Sequence, residues 1–436
     1  MGNDDQYPLS SLRAQTRNLL NNRDASFCSG DGGSRSTMTL KSGEVVRFGE
    51  VALPASKSES NRALMIAAYG GFAPDFQNLS DSNDTQVLNE ALVSMSFQRG
   101  VVRGRESMHT KASFIDIADC GTAARFMTTY MACHEGEWIL TGTERMKQRP
   151  ILPLVKSLRE LGADIQFVEK EGCLPLRIIG KPILGGKVQI EMHQSSQFAS
   201  SLLLAAPMWP KGLEMDLIGE LTSLPYLEMT LAMMRHFGAE VERNGRTISV
   251  KPRPYQSNSF MVGGDWSAAS YWYEMAALSE ECEIRLRGLS LSSLQGDVVI
   301  VDWMKQLGVG TSVEKGAIVL QKIPFEKHPI CFDFAAHPDL YPTMAATCAA
   351  LKVEATFTGL DKLALKESDR VVAMQTELAK IGQQPIHFCA HNDHRIVMAL
   401  APLSMLYGTI GFDHPEVVRK SYPKFWAEVS FLPVQG

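Results

Sequence analysis

The sequence predicts an α/β protein assembled from a repeated subdomain, and three observations predict it. Four segments read as an amphipathic helix that ends in glycine and runs into a short apolar strand: Leu154–Gly162, Leu231–Gly238, Val301–Gly308 and Leu378–Gly382. Their glycines lie 76, 70 and 74 residues apart. Hydrophobic residues make up 45% of the 436 and charged residues 21%, which is enough apolar material for more than one core.

Each part of the repeat has a local cause. Glycine suits the left-handed position just past a helix end. Beyond it, Ala163–Phe167 and Ala239–Glu242 alternate as strands do. A weaker fifth copy ends near Gly100. A single helix-glycine-strand segment is common in any α/β protein, but four at regular spacing favour duplication. The period is longer than a solenoid repeat and suits a compact subdomain of two helices and several strands.

The first 36 residues are rich in Asn, Ser, Gly and Asp. They read as a poorly ordered extension with one short helix around Leu12 to Leu20. The folded part is expected to begin near Met38.

The formal net charge of -5 argues against a general nucleic-acid binder. It leaves room for a cationic cleft, because a cleft can focus one sign of charge in an acidic protein. The eight cysteines are scattered without a CxxC pair, as free thiols in a reducing compartment would be. No apolar run approaches the ~18 residues of a membrane span. The start, Met1-Gly2-Asn3-Asp4-Asp5, lacks the basic and apolar stretches of a signal peptide. The expectation is a cytoplasmic protein with neither membrane nor nucleic acid as partner.

The chemistry concentrates at polar helix starts. Ser56-Lys57-Ser58 with Arg62 leads into an apolar run, where free N–H groups and the helix dipole attract phosphate. It is not a Walker loop, whose glycines are missing. Cys120-Gly121-Thr122 with Arg125 lets backbone approach an anion closely. Arg149-Pro150 precedes the helix ending at Gly162, with Pro150 placed to open it. Gln194-Ser195-Ser196-Gln197 and Ser223-Leu224-Pro225-Tyr226 are further polar starts, and their serines are also ordinary N-caps. In the second half stand Pro338-Asp339, the run Lys366-Glu367-Ser368-Asp369-Arg370, Asn392-Asp393-His394-Arg395 and Lys420-Ser421-Tyr422. Alone, the charged run is most often a solvated helix face. Together, one basic residue per repeat is what binding two small polyanions requires.

The motifs LPASKS, CGTAAR, RMKQRPI, SSQFASSLL, KESDR, NDHR and KSYPKFW stand in that order between about Glu50 and Trp426. With them the chain resembles the 3-phosphoshikimate 1-carboxyvinyltransferases (5-enolpyruvylshikimate-3-phosphate synthases) of the enolpyruvyl transferase family. The resemblance implies an α/β fold of two similar domains, each of three βαβαββ units in an inside-out α/β barrel, with the active site in the interdomain cleft. It divides the chain into an extension at 1–36, an N-terminal substrate-binding domain at 55–262, and a second domain made of 37–54 plus 263–436.

By the same resemblance, shikimate 3-phosphate is expected on Lys57, Ser58, Arg62, Ser195, Ser196, Gln197, Ser223, Asp339 and Lys366. Phosphoenolpyruvate is expected on Lys57, Gly121, Arg149, Gln197, Arg370, Arg395 and Lys420. Arg125 and Tyr226 support them. Asp339 is the expected base at the attacking hydroxyl, Lys57 its partner in proton transfer, and Glu367 the acid at the methylene carbon. No metal or organic cofactor is expected, the assembly implied is a monomer, and glyphosate is the implied inhibitor, for which Gly121 leaves room.

The chain departs from the family pattern at Asp119, Phe126 and Lys362, and most of all between Gly382 and His391. There it is short by two strands, roughly 20 residues, which implies a trimmed last unit. Two other functions compete. A UDP-N-acetylglucosamine enolpyruvyl transferase shares fold and donor, but the SSQ and KSxSxR motifs match the shikimate enzyme. A binding protein descended from the enzyme has no use for Lys57, Asp339 and Glu367 together.

Overall fold

Three strands come first in the chain and find their partners far downstream: β1 (Tyr7–Pro8), β2 (Thr37–Leu40) and β3 (Phe48–Ala52). The computed structural model describes residues 7–8, 37–40, 48–73, 75–102, 112–383 and 385–430. The extension expected at 1–36, with its helix around Leu12 to Leu20, lies outside the described residues apart from β1. The chain divides into two compact units, Ser56–Val262 and Met1–Ala55 with Gly263–Gly436.

The unit Ser56–Val262 opens with α1 (Lys57–Gly70), β4 (Phe76–Gln77) and α2 (Asn83–Val102). One arrangement then occurs twice. First come β5 (Ser113–Asp116), α3 (Gly121–Ala132), β6 (Gly136–Thr141), α4 (Leu152–Glu160), β7 (Asp164–Phe167) and β8 (Leu176–Gly180). Their sheet order is β5-β6-β8-β7. The second copy has β9 (Gly186–Glu191), α5 (Ser196–Ala205), β10 (Leu213–Ile218), α6 (Leu224–His236), β11 (Val241–Asn244) and β12 (Thr247–Val250), in the order β9-β10-β12-β11. In both, the helix crossover joins a parallel pair and the hairpin adds two antiparallel strands, as connection length dictates. β13 (Phe260–Met261) pairs in parallel with β4.

The other unit repeats the pattern once in full. β3 is followed by α7 (Trp266–Leu278), β14 (Glu283–Arg287), α8 (Ile300–Lys305), β15 (Val309–Glu314) and β16 (Ala317–Lys322), ordered β3-β14-β16-β15. Next come β17 (Ile330–Asp333), α9 (Tyr341–Leu351), β18 (Ala355–Thr358) and α10 (Arg370–Leu378). Last are β19 (Ile386–Phe388), α11 (His394–Leu400) and β20 (Ile410–Asp413). β17 and β18 are parallel, as are β19 and β20. N-terminal strands take the antiparallel places, β1 on β18 and β2 on β20.

The segment Gly382–His391, where the trimming is expected, joins α10 to β19 and contains that strand. Among the described residues α10 passes to β19 with no hairpin between, and no strand follows β20, so neither the β17–β18 sheet nor the β19–β20 sheet has closing strands of its own. None of the six sheets closes on itself among the described residues.

The repeat glycines behave alike. Gly162, Gly238, Gly308 and Gly382 have φ of 95°, 84°, 86° and 95°, where a side chain would be strained. Gly100 ends nothing: α2 continues through it to Val102. Each unit has its own core. The first helix of each repeat packs against its counterparts in the same unit, α1 with α3 and α5, and α7 with α9 and α11. α5 is buried on nearly every side and α7 on all of them, as helices at the centre of a core must be.

Candidate active site

In the unit Ser56–Val262, hydrogen bonds tie the starts of several helices together. Ser56 caps α1, its Oγ accepting from the Glu59 amide at 3.3 Å, which places Lys57 and Ser58 in the first turn. Lys57 Nζ donates to Asp84 Oδ2 at 2.9 Å. Asp84 lies in the first turn of α2, and its carbonyl accepts from Cys120 Sγ at 3.5 Å. Cys120 in turn caps α3, its sulfur accepting from the Ala123 amide. Gln197 Nε2 donates to Thr122 Oγ1 at 3.0 Å, joining the starts of α5 and α3. Ser195 is the cap of α5, accepting from the Gln197 amide at 3.2 Å, and Ser196 is its buried first residue.

Gly121 opens α3 beside two guanidiniums. A Cβ there would lie 2.8 Å from Arg149 Nη1 and 2.8 Å from Arg125 Nη1, so a side chain would have to push these groups away. Arg125 itself is tied back to the Gly121 and Pro150 carbonyls at 2.9 and 3.1 Å. Arg149 lies just ahead of α4 and is 9% exposed. Pro150 does not open that helix. Ile151 is its cap, held by its amide on the Gly172 carbonyl at 2.8 Å, and Pro153 sits in the first turn.

Ser223 precedes α6 with φ 55° and ψ 35°, a left-handed conformation that costs a serine about 1 kcal/mol. Arg62 is 2% exposed, with the Phe126 ring centroid 5.8 Å from its Cζ. Burial pushes Arg62 down to about 10, against the opposing pull of Tyr226 and Glu59. The departure at Phe126 thus bears on Arg62. The starts of α1, α3 and α5, with Lys57 and Arg149, are the kind of arrangement that attracts an anion.

In the other unit, Arg370 is the hub. It is the first residue of α10, which Asp369 caps by accepting from the Val372 amide at 3.1 Å. Nε donates to Asp393 Oδ2 at 2.8 Å, Nη1 to Asp339 Oδ1 at 2.8 Å and Nη2 to Glu367 Oε2 at 3.0 Å. Asp339, in the turn Pro338–Leu340 before α9, also accepts from Arg395 Nη2 at 2.9 Å. Lys366 Nζ stands 3.8 Å from its Oδ1.

Burial pushes the Asp339 carboxyl up, but Arg395, Lys366 and Arg370 outweigh it and hold it well below its ordinary 3.8. For Arg370, burial works against the charge, while Asp393, Glu367 and Asp339 raise its pKa overall. Lys420 closes the turn Pro415–Lys420 at 6% exposure. The run from Lys366 to Arg370 is no solvated helix face, since its arginine is 1% exposed.

The expected residues therefore fall into two sets. Lys57, Ser58, Arg62, Gly121, Arg149, Ser195, Ser196, Gln197 and Ser223 lie in one unit; Asp339, Lys366, Glu367, Arg370, Arg395 and Lys420 lie in the other. Sequence reasoning passed over their partners. Asp84 offered a signal, an acid in the polar stretch Ser80–Asp84 ahead of an apolar run. Asp393, inside the NDHR motif, caps α11 through the Arg395 amide at 3.0 Å and takes the Arg370 Nε.

A family model described as EPSP synthase (3-phosphoshikimate 1-carboxyvinyltransferase) matches residues 46–429. The 3-phosphoshikimate 1-carboxyvinyltransferase of Bacteroides fragilis (strain YCH46) is 42% identical over 400 residues, covering 87% of this chain and 94% of that one. Its counterpart in Sulfurovum sp. (strain NBC37-1) is 34% identical over 408 residues, covering 87% and 95%. Among solved structures, an EPSP synthase from Acinetobacter baumannii aligns with TM-score 0.68 at 20% identity, over 90% of this chain and 97% of that one.

Proposed function

Since the chain belongs to the EPSP synthase family of 3-phosphoshikimate 1-carboxyvinyltransferases, we propose that its two sets of helix starts act on one pair of substrates. The reaction transfers the enolpyruvyl group of phosphoenolpyruvate to the 5-hydroxyl of shikimate 3-phosphate and releases phosphate.

Shikimate 3-phosphate is assigned to Lys57, Ser58, Arg62, Ser195, Ser196, Gln197 and Ser223, with Asp339 and Lys366. Phosphoenolpyruvate is assigned to Lys57, Gly121, Arg149 and Gln197, with Arg370, Arg395 and Lys420. The reaction is an addition followed by an elimination. The 5-hydroxyl oxygen bonds to C2 and gives up its proton to a base, while C3 takes a proton from an acid. The tetrahedral intermediate then expels phosphate from C2 and returns a proton from C3, which restores the double bond.

One observation carries the assignment of the base. Asp339 holds a different arginine on each oxygen, Arg370 on Oδ1 and Arg395 on Oδ2. So held, it stays ionised but is a weak proton acceptor. A phosphate or carboxylate drawing these arginines toward itself would loosen the hold and raise the basicity of Asp339 when substrate is present. Lys57 is assigned the role of its proton-transfer partner, and Glu367 that of the acid at C3.

The enzyme is read as a cytoplasmic monomer. The seven described cysteines are free, as a reducing compartment favours, and the monomer follows the family resemblance. No described helix is long and apolar enough to cross a membrane.

The test is phosphate release with both substrates together and with each alone. Release only with both, abolished in Lys57→Ala and Glu367→Ala, supports the assignment. Full activity in either variant removes that residue from it.

A further inference from the structure

Arg62 is the most deeply set cation of its unit's anion site. Its Nε donates to Thr230 Oγ1 at 2.7 Å and its Nη1 to the Ser58 carbonyl at 2.9 Å. Its Nη2 donates to the Tyr226 carbonyl at 3.1 Å and to Ser200 Oγ at 3.5 Å. Thr230 and Ser200 are both fully buried, on α6 and α5, and their oxygens stand 2.8 Å apart.

The direction of every proton follows from these contacts. Thr230 Oγ1 lies 2.9 Å from the Tyr226 carbonyl, which can only accept, so threonine donates there. Its one proton is then spent, and Ser200 must be the donor between the two hydroxyls. Thr230 oxygen thereby accepts from both Ser200 and the Arg62 Nε. Reversing either hydroxyl would break one of these bonds inside the core, where an unmade bond is costly. The pair is a fixed acceptor for the guanidinium edge. Among the described residues this leaves one N–H of Arg62 without a protein acceptor. It is the second N–H on Nη1, the nitrogen that already reaches the Ser58 carbonyl.

We propose that Thr230, backed by Ser200, is a positioning residue that aims the remaining Arg62 N–H at shikimate 3-phosphate. This rests on the assignment of Arg62 to that substrate. Thr230 itself touches no substrate. Without its hydroxyl the buried Nε has no acceptor at that edge, and the guanidinium turns to find one, taking the free N–H off target. The cost falls on binding of one substrate and not on the bond-making step.

The test is steady-state kinetics of Thr230→Val, Thr230→Ser, Ser200→Ala and Arg62→Ala, with KM measured for each substrate separately and melting followed in parallel. Thr230→Val keeps the side-chain shape. It should raise KM for shikimate 3-phosphate about tenfold, with KM for phosphoenolpyruvate and kcat within about twofold. Thr230→Ser should restore the native KM. Ser200→Ala should shift the same constant in the same direction by less, and it keeps the test alive should the valine variant not fold. On an Arg62→Ala background the valine substitution should add nothing.

An unchanged KM for shikimate 3-phosphate in Thr230→Val and Ser200→Ala, with a raised one in Arg62→Ala, overturns the positioning role alone. An unchanged KM in Arg62→Ala overturns the assignment of Arg62 and the inference with it.

Discussion

Asp393 lies fully buried against Arg370, which is itself 1% exposed, and accepts its Nε at 2.8 Å. The same carboxylate accepts from the Arg395 amide at 3.0 Å and so caps α11. One acid thus sets two of the three arginines assigned to phosphoenolpyruvate, Arg370 and Arg395. Asp393→Asn separates its two duties, because asparagine still caps a helix but cannot neutralise a buried guanidinium. Breaking a buried ion pair from one side costs about 3 kcal/mol or more. The variant should unfold at lower denaturant and lose at least tenfold in kcat/KM for phosphoenolpyruvate. Urea titration and initial rates check it, and native values in both would show that Arg370 needs no partner here.

Gly121→Ala probes the other arginine. The added methyl would lie 2.8 Å from Arg149 Nη1 and 2.9 Å from its Nη2, far below ordinary contact. Both atoms end a flexible side chain, so the fold should yield at little cost while the guanidinium moves. The expected outcome is a rise of about tenfold in KM for phosphoenolpyruvate, with KM for shikimate 3-phosphate and melting temperature near native. Equal rises in both constants would mean that the start of α3 itself has shifted.

What the sequence made legible and what it hid follow one physical division. Helix starts are local: Ser56, Lys57 and Ser58 stand beside the apolar run they introduce. The left-handed glycines at 162, 238, 308 and 382 are equally local. Gly100 misleads because a glycine inside a helix costs only about 1 kcal/mol, which the rest of α2 absorbs. Pairings are another matter. Lys57 meets Asp84 across 27 residues, Arg395 meets Asp339 across 56, and Arg62 meets Thr230 across 168. Residue types at a helix start reveal the charge needed there, but only the packing of α1 with α2, or α9 with α11, decides which acid receives it. The strands hide for the same reason. Nothing near Tyr7 says that its partner is Phe357.

That pairing yields a prediction of its own. β1 lies antiparallel on β18, Tyr7 opposite Phe357 and Pro8 opposite Thr356. This is the place taken by β8 on β6 and by β16 on β14, where the sheets have their own hairpins. An uncovered sheet edge leaves backbone groups unpaired. Deleting residues 1–36 should therefore speed amide exchange in Ala355–Thr358 and leave Ala317–Lys322 unchanged. The stability lost should be small, about 1 kcal/mol for so short a strand. Exchange in β18 that ignores the deletion would show that the edge does not depend on β1.

Glu274 makes the sharpest pH prediction. It sits in α7, is fully buried, and neither carboxyl oxygen has a hydrogen-bond partner among the described residues. Burial holds its pKa well above the ordinary 4.5. Cys348, opposite on α9, is itself pushed up to about 12 by burial, with Glu274 adding to the shift. The native state therefore keeps the Glu274 proton where the unfolded chain has lost it. Below pH 4.5 both states hold the proton and its contribution is flat. As pH rises above 4.5 the unfolded chain ionises first, so stability falls by about 1.4 kcal/mol per pH unit until the folded carboxyl titrates too. Glu274→Met removes both the unsatisfied carboxyl and its titration. It should stabilise the protein by ~1–3 kcal/mol at pH 5 and by clearly more at pH 8. Denaturant curves for both proteins at the two pH values check it. If the gain is the same at both, Glu274 does not carry a raised pKa in the folded protein, and water or a rearranged neighbour must solvate it.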